Sequence, residues 1–374
     1  MAITISLCMI VKNEEANLAR CLKSVRGVFD EINIVDTGST DRTVEIAREF
    51  TDRVFHFEWI NDFAAARNFS FSKATMDYIF WLDADDVVTT MNRFKLLELK
   101  RTLKPQIEFV SMLYEYAYDE KGRSIMTQSR ERLVKRSCNM QWKNPLHETI
   151  DITNFLGTMV EIHISHKHNN KARSAERNTP IITELHETGE KTARNLYYYA
   201  LETSSNGKDE EALASFREFF ALPMDAGNPF DPTSAYISCA TLYIKRGEVE
   251  EAYELLMSQK EQLADKAEYY CTLALYHTAK NDTESVKSCC EKALACKGGY
   301  FFGNMRVFDH RLEAYYYFIP NEILGRLYLK ENNYEKALEH YEAAVRYRDT
   351  DPQVVALADK LRRLHTLQKE EEKE

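Results

Sequence analysis

Nine residues, Tyr78-Ile79-Phe80-Trp81-Leu82-Asp83-Ala84-Asp85-Asp86, constrain this chain more than any others. Five apolar or aromatic side chains run straight into three carboxylates within four positions. The run is too short for a typical helix and rich in aromatics, so it predicts a buried strand. Buried parallel strands end at the edge of a sheet, where open α/β folds collect their ligands. Asp83 and Asp85 alternate around one small residue, so a divalent cation can bridge them to a phosphate. In isolation an Asp-x-Asp reads first as an acidic turn that caps the next helix. The segments around it weigh against that reading.

Residues 3–11 predict a strongly apolar strand, and Lys12-Asn13-Glu14-Glu15 then opens a helix with Leu18, Cys21, Leu22 and Val25 at helical spacing. A second strand, residues 32–35, ends at Asp36. Thr37-Gly38-Ser39-Thr40-Asp41 is a tight polar turn in which Asp41 or Thr40 caps the following helix. Residues 54–57 make a third strand, and Asn61-Asp62-Phe63-Ala64-Ala65-Ala66-Arg67-Asn68 begins a further helix. Strand–helix alternation of this kind gives a mainly parallel sheet with helices on both faces. Neither a Gly-x-Gly-x-x-Gly fingerprint nor a Walker-type loop follows the first strand, which disfavours a dinucleotide dehydrogenase.

After Asp86 the pattern changes. Residues 93–103 predict a helix, and 107–118 and 124–136 two long strands joined by a turn at 120–123. Gln141-Trp142-Lys143-Asn144-Pro145-Leu146-His147-Glu148 is a candidate site loop. In Ile162-His163-Ile164-Ser165-His166-Lys167-His168 three histidines are expected to share one strand face, of which a metal needs only one.

From about Lys191 the strand signal disappears. A turn followed by acidic residues and a small residue recurs from Gly207, Gly247, Asn281 and Asn332, at spacings of 40, 34 and 51 residues. The middle value is the period of a tetratricopeptide-like helix pair, and the others imply insertions, one at 223–232 and an aromatic one at 298–320. Four stacked pairs bury a core that no single pair can bury. Residues 353–367 predict a closing helix, followed by a charged tail at 369–374. The expected organisation is an α/β domain at 1–170, a linker helix at 171–190 and all-α repeats at 191–374. The repeats offer a surface for an acceptor chain or for a homodimer. The aromatic insertion is expected to be buried.

The formal charge of −10 argues against nucleic acid or an acidic membrane surface as partner. The longest apolar stretches fall short of a membrane span, and the N-terminus reads as a first strand rather than a signal peptide. The eight cysteines are scattered, which fits reduced thiols in a cytoplasmic protein and neither a disulfide scaffold nor a zinc site.

Five segments together resemble the family 2 glycosyltransferases of GT-A fold. They are Ser6–Glu14, Ile34–Thr43, Asn61–Asn68, Leu82–Asp86 and Leu146-His147-Glu148, in the family's order over roughly the first 170 residues. The branch with appended helical repeats, which includes the sublancin-type peptide S-glycosyltransferases, is the nearest in kind. The resemblance implies a Rossmann-like GT-A domain that moves a sugar from a UDP-sugar, with inversion and with Mg²⁺ or Mn²⁺, to a Cys, Ser or Thr side chain of a peptide or protein. It further implies that Asp85 ligates the metal and that Asp83 approaches the ribose or the metal, with Ala84 in the same donor-binding turn. Asp36 would bind the uracil, while Met9, Val11 and Glu14 line the nucleoside pocket. Arg67 would hold the diphosphate or the Asp cluster, or form a structural salt bridge to Asp62 or Asp83. His147 or Glu148 serves as base, and His166 is a third metal ligand. Two other functions are compatible with the sequence: transfer to an envelope polysaccharide or glycolipid, and a non-catalytic scaffold built on a degenerate transferase domain.

Overall fold

A computed structural model describes residues 2–118, 122, 124–167, 171–189, 191–223, 232–298, 300–302, 305–307, 313–349 and 351–371. The turn at 120–123 (apart from residue 122), His168, most of the insertion at 223–232, Phe308 and the end of the charged tail lie outside the described residues. The chain forms two compact units, the first from Met1–Tyr118 and Met126–Ile181 and the second chiefly from Ile182–Glu374.

The first unit alternates strand and helix: β1 (Ile5–Val11), α1 (Leu18–Ser24), β2 (Glu31–Asp36), α2 (Thr43–Arg48), β3 (Val54–His56), α3 (Phe63–Phe71) and β4 (Tyr78–Trp81). β5 (Asp86–Val87), α4 (Thr90–Thr102), β6 (Phe109–Tyr118), β7 (Ser124–Lys135), β8 (Trp142–Lys143), β9 (Thr149–Ile150), β10 (Gly157–His166) and α5 (Lys171–Thr188) follow. The main sheet has the order β3-β2-β1-β4-β7-β6-β10-β5. Strands β1 to β4 are mutually parallel, β7 runs antiparallel to β4, and β10 runs parallel to β6. The chain winds outward from β1 through β3, then returns to β4 on the other side, so the switch point lies between β1 and β4. This is the mostly parallel sheet that the strand–helix alternation predicts.

The Tyr78–Trp81 strand is buried at every position because both of its faces are covered. Tyr78, Phe80 and Leu82 enter a core with α1, α2 and α4, while Ile79 and Trp81 enter a second core with α3 and Trp142. The helix expected from Lys12 begins six residues later, at Leu18. Asn13 adopts a φ of 53°, and the next loop holds the backbone N–H groups of Asn13, Glu14 and Glu15 through Ser39 Oγ, Thr43 Oγ1 and Asp41 Oδ2. Those donors are satisfied without a helical turn. The cap position of α2 is Arg42, which makes no side-chain cap bond, so neither Asp41 nor Thr40 is the cap, although Asp41 accepts from the N–H of Thr43 at 3.0 Å.

At the opposite end of β2, Glu31 is buried and accepts from Ser6 Oγ, Asn33 Nδ2, and both the hydroxyl and the N–H of Thr75, at 2.6–3.0 Å. Burial pushes its pKa up, but these hydrogen bonds outweigh burial and hold it at about 2, below the ordinary 4.5. A lowered carboxyl contributes stability above its unfolded value and loses it as pH falls through the folded value. Glu31 therefore contributes on the order of 3 kcal/mol at neutral pH, lost between about pH 4.5 and pH 2. Urea unfolding of Glu31→Gln is expected to show a lower midpoint than wild type at pH 7, with the gap closing toward pH 2.

The second unit is helical. α6 (Ala193–Ser205) pairs with α7 (Asp209–Ala221), α8 (Thr233–Arg246) with α9 (Val249–Ser258), and α10 (Lys260–Leu263) is a short connector. α11 (Ala267–Ala279) then pairs with α12 (Thr283–Ala295). α13 (Glu313–Tyr317) precedes the pair of α14 (Ile319–Lys330) and α15 (Tyr334–Tyr347), and α16 (Pro352–Glu371) closes the array. The four residues that head the sequence motif, Gly207, Gly247, Asn281 and Asn332, all have φ between 57° and 84°. A left-handed residue ends one helix and redirects the chain into its partner, which only Gly and Asn do cheaply. Five positions later Ala212, Ala252, Val286 and Ala337 are buried, small enough to let the paired helices approach. Within the aromatic insertion Tyr300–Phe302 and Met305–Val307 form a small antiparallel ribbon that the sequence reading does not foresee. Of the aromatic side chains described there, Tyr316 is buried, whereas Tyr315, Tyr317 and Phe318 are half-buried, so the expected burial holds in part. Among the described residues no helix is long and apolar enough to cross a membrane.

Candidate active site

The carboxyl ends of β1, β2 and β4 bring the first unit's polar residues to one edge. Asp36 ends β2, in register with Val11 of β1. The ends of β2 and β4 flank β1, so two strand spacings, roughly 10 Å, separate them. The Asp36 carboxylate accepts from the N–H groups of Gly38 and Ser39, each at 3.1 Å, which shapes the turn after β2. Val11 presents its carbonyl to the N–H of Thr37 at 2.9 Å, and that of Met9 accepts from Ser70 Oγ at 3.4 Å. Glu14 accepts from Asn17 Nδ2 at 2.9 Å, beside this loop.

After β4 the chain makes a tight acidic turn. The Asp83 N–H donates to Asp86 Oδ2, and the Asp83 carbonyl accepts from the Asp86 N–H, both at 3.0 Å, with Ala84 buried between them. Asp86 opens β5, whose antiparallel pairing with β10 sets it opposite His166. That pairing carries a residue 80 positions away into the acidic turn. His166 Nδ1 lies 3.4 Å from Asp85 Oδ1, 3.2 Å from Asp86 Oδ1 and 2.7 Å from the Tyr114 hydroxyl. Ligand-type atoms of Asp85, Asp86 and His166 all lie within 4.8 Å of one another. Burial lowers the pKa of His166, but its hydrogen bond to Asp86 and the charges of Asp85, Asp86 and Asp83 more than offset this and raise it.

Two carboxylates and an imidazole are a hard, oxygen-rich set that fits Mg²⁺ or Mn²⁺. The Cys21 thiol donates to the Asp83 carbonyl at 3.4 Å, and burial pushes its pKa well up, so it stays a protonated neighbour rather than a soft ligand.

Asp83 turns to Arg67, whose Nη2 lies 2.8 Å from Asp83 Oδ1 while its Nε lies 2.7 Å from Glu148 Oε1. The guanidinium sits 4.8 and 4.9 Å from the ring centroids of Trp81 and Trp142. Burial works against the charge of Asp83, but Arg67 and Arg132 prevail and hold its carboxyl well below the usual range. The Asn61–Asn68 segment now has a physical role. Asp62 caps α3 through the Ala65 N–H, and the Phe63 N–H donates to the Pro145 carbonyl. Asn68 exchanges two hydrogen bonds with the backbone of Trp142, at 2.8 and 2.9 Å. α3 thus staples the 142–148 loop to the acidic turn. His147, beside Glu148 in that loop, has a φ of 54°.

Two residues escaped the sequence reading. Arg132 of β7 is wholly buried against Asp86, 3.1 Å away, and Tyr114 of β6 donates to the other Asp86 oxygen at 2.7 Å. The one available signal was a charged residue beside Leu133-Val134 in a strand flanked on both sides. The expectation that the histidines share a face is corrected. His163 and His166 are an odd number of residues apart, so the pleat opposes them. His163 meets Glu115 at 3.0 Å on the far face, while His166 reaches Asp85 and Asp86 of the acidic turn. His168 lies outside the described residues.

The first unit is thus a mostly parallel α/β domain with an acidic turn at its switch-point edge, and helical repeats follow it. Comparison with known proteins agrees. Residues 6–163 match the model of glycosyl transferase family 2, and residues 322–353 that of a tetratricopeptide repeat. A TPR repeat-containing protein of Synechococcus elongatus is 37% identical over 149 residues, covering 39% of this chain and 35% of its own length. The prophage-derived glycosyltransferase SunS of Bacillus subtilis is 28% identical over 221 residues, covering 56% of this chain and 51% of its own. This chain thus spans about a third to a half of the length of these relatives. Glucosyl-3-phosphoglycerate synthase of Mycobacterium tuberculosis superposes with a TM-score of 0.36 at 16% identity, over 49% of this chain and 79% of its own. This chain therefore carries a glycosyltransferase family 2 domain followed by tetratricopeptide repeats.

Proposed function

We propose that this chain transfers a sugar from a UDP-sugar to a Cys, Ser or Thr side chain of a peptide or protein, with inversion and with Mg²⁺ or Mn²⁺. The observation that carries this reading is the trio of Asp85, Asp86 and His166 at the switch-point edge of a family 2 domain. Bound there, a divalent cation supplies a Lewis acid that neutralises the departing diphosphate. Asp36, about two strands away, takes the base of the donor, and Asp83 takes its ribose. Arg67 keeps Asp83 oriented and ionised.

Inversion needs a base opposite the leaving group, within hydrogen-bond reach of the acceptor. Glu148 is engaged with Arg67 in a largely buried pair, and drawing it away takes the carboxylate from the guanidinium's Nε and leaves Asp83 as its remaining counter-charge. His147 is therefore assigned as the proton acceptor and Glu148 as the residue that holds Arg67. A thiol acceptor, with an ordinary pKa near ~8.5, demands the least of such a base. Stacked helix pairs are a surface on which a peptide can lie, which supports a peptide acceptor held by the repeats.

Calorimetry of the full chain with UDP tests the donor half of this reading. UDP is expected to bind with Mn²⁺ present, to weaken at least about tenfold with EDTA, and to be preferred over GDP. A chain that binds neither nucleotide, with or without Mn²⁺, contradicts it.

A further inference from the structure

Asp86 belongs to the cation trio, and both of its carboxylate oxygens are engaged. Its Oδ2 accepts from Arg132 Nη1 at 3.1 Å and from the Asp83 N–H at 3.0 Å, and its Oδ1 accepts from the Tyr114 hydroxyl at 2.7 Å. Arg132 is enclosed between the rings of Trp81 and Tyr114, whose centroids lie 3.8 and 4.1 Å from its guanidinium carbon. Nη1 also donates to the Trp81 carbonyl at 3.2 Å. Nε and Nη2 are buried with no hydrogen-bond partner. Unsatisfied donors on a buried cation are costly. A methionine fills the same slot between two rings without that cost, so packing alone does not call for arginine. What arginine adds is a fixed positive charge on Asp86.

We propose that Arg132 is a positioning residue that withholds Asp86 from the cation. Asp85 and His166 are then the side-chain ligands, and the other coordination positions stay open to the donor's diphosphate. This rests on reading the acidic edge as a cation site. Mg²⁺ and Mn²⁺ favour six ligands, and a site that acts on phosphates leaves several for water and substrate. If Asp86 also bound the ion, one position fewer would remain. An Asp86 stripped of Arg132 keeps a buried charge within 4.8 Å of the other two donors, and a cation seated among the three compensates it.

The test is Mn²⁺ affinity of the full chain without donor, read from the electron paramagnetic resonance signal of free Mn²⁺, with circular dichroism to confirm folding. Arg132→Met is expected to bind Mn²⁺ about tenfold tighter than wild type. Asp86→Asn is expected to stay within about threefold of wild type, and the double variant to match it. Unchanged or weaker binding by folded Arg132→Met overturns the proposal. A loss of more than about tenfold in Asp86→Asn also overturns it, since Asp86 is then a ligand. That second arm decides the matter if Arg132→Met does not fold. Wild type that binds no Mn²⁺ fails the cation-site reading itself, and the proposal with it.

Discussion

Asp85→Asn is expected to lower Mn²⁺-dependent UDP release from a UDP-sugar by at least about 100-fold while leaving the fold intact. The substitution keeps the size and shape of the side chain and removes its charge. Asp85 faces His166 at 3.4 Å at the mouth of the acidic turn, so its loss acts on the ion and the diphosphate together. Asp86, by contrast, is wholly enclosed and bound to Arg132, so it cannot take over without breaking a buried pair. The measurement is UDP release at saturating Mn²⁺, with the Mn²⁺ requirement titrated separately. Release unchanged by the substitution removes Asp85 from the mechanism.

Arg67→Met is expected to have the largest effect on stability, a loss on the order of 3–5 kcal/mol. Arg67 is the shared counter-charge of Asp83 and Glu148, which come from segments far apart in the chain. Methionine keeps contact with Trp81 and Trp142 but leaves two carboxylates facing one another in a largely buried space. The double variant Arg67→Met, Glu148→Gln is expected to recover part of the loss, because one stranded charge is gone. Urea unfolding of the single and double variants checks both statements. A loss below about 1 kcal/mol reduces Arg67 to the level of an exposed ion pair.

The second prediction shows where sequence reading ends. The Tyr78–Asp86 strand was legible because five large apolar residues have only one stable home, a strand buried on both faces. The helix pairs were legible because a left-handed residue and a buried small residue recur at fixed separation from Gly207 to Ala337. The site was legible in its carboxylates, which cluster in sequence. Of what neutralises them, the Arg67–Asp83 pair was legible, whereas the partners of Asp86 and Glu148 were not. Arg132 reaches Asp86, and Arg67 reaches Glu148, through strand order and loop placement, neither of which local pattern encodes. His166 stood in the sequence with two other histidines, and the pairing of β10 with β5 selects it. Asn13 shows the same limit on a smaller scale. Its neighbours looked like a helix start until the Ser39–Thr43 turn took up their N–H groups.

The most direct test of the central claim is a crystal of the full chain grown with Mn²⁺ and UDP, with anomalous differences measured at the manganese edge. The account predicts one peak within about 2.5 Å of an Asp85 carboxylate oxygen and of a His166 ring nitrogen, and in contact with the diphosphate. Asp83 is predicted to remain on Arg67, and the uracil to lie toward Asp36. A peak elsewhere, or UDP bound away from the edge formed by β1, β2 and β4, contradicts it.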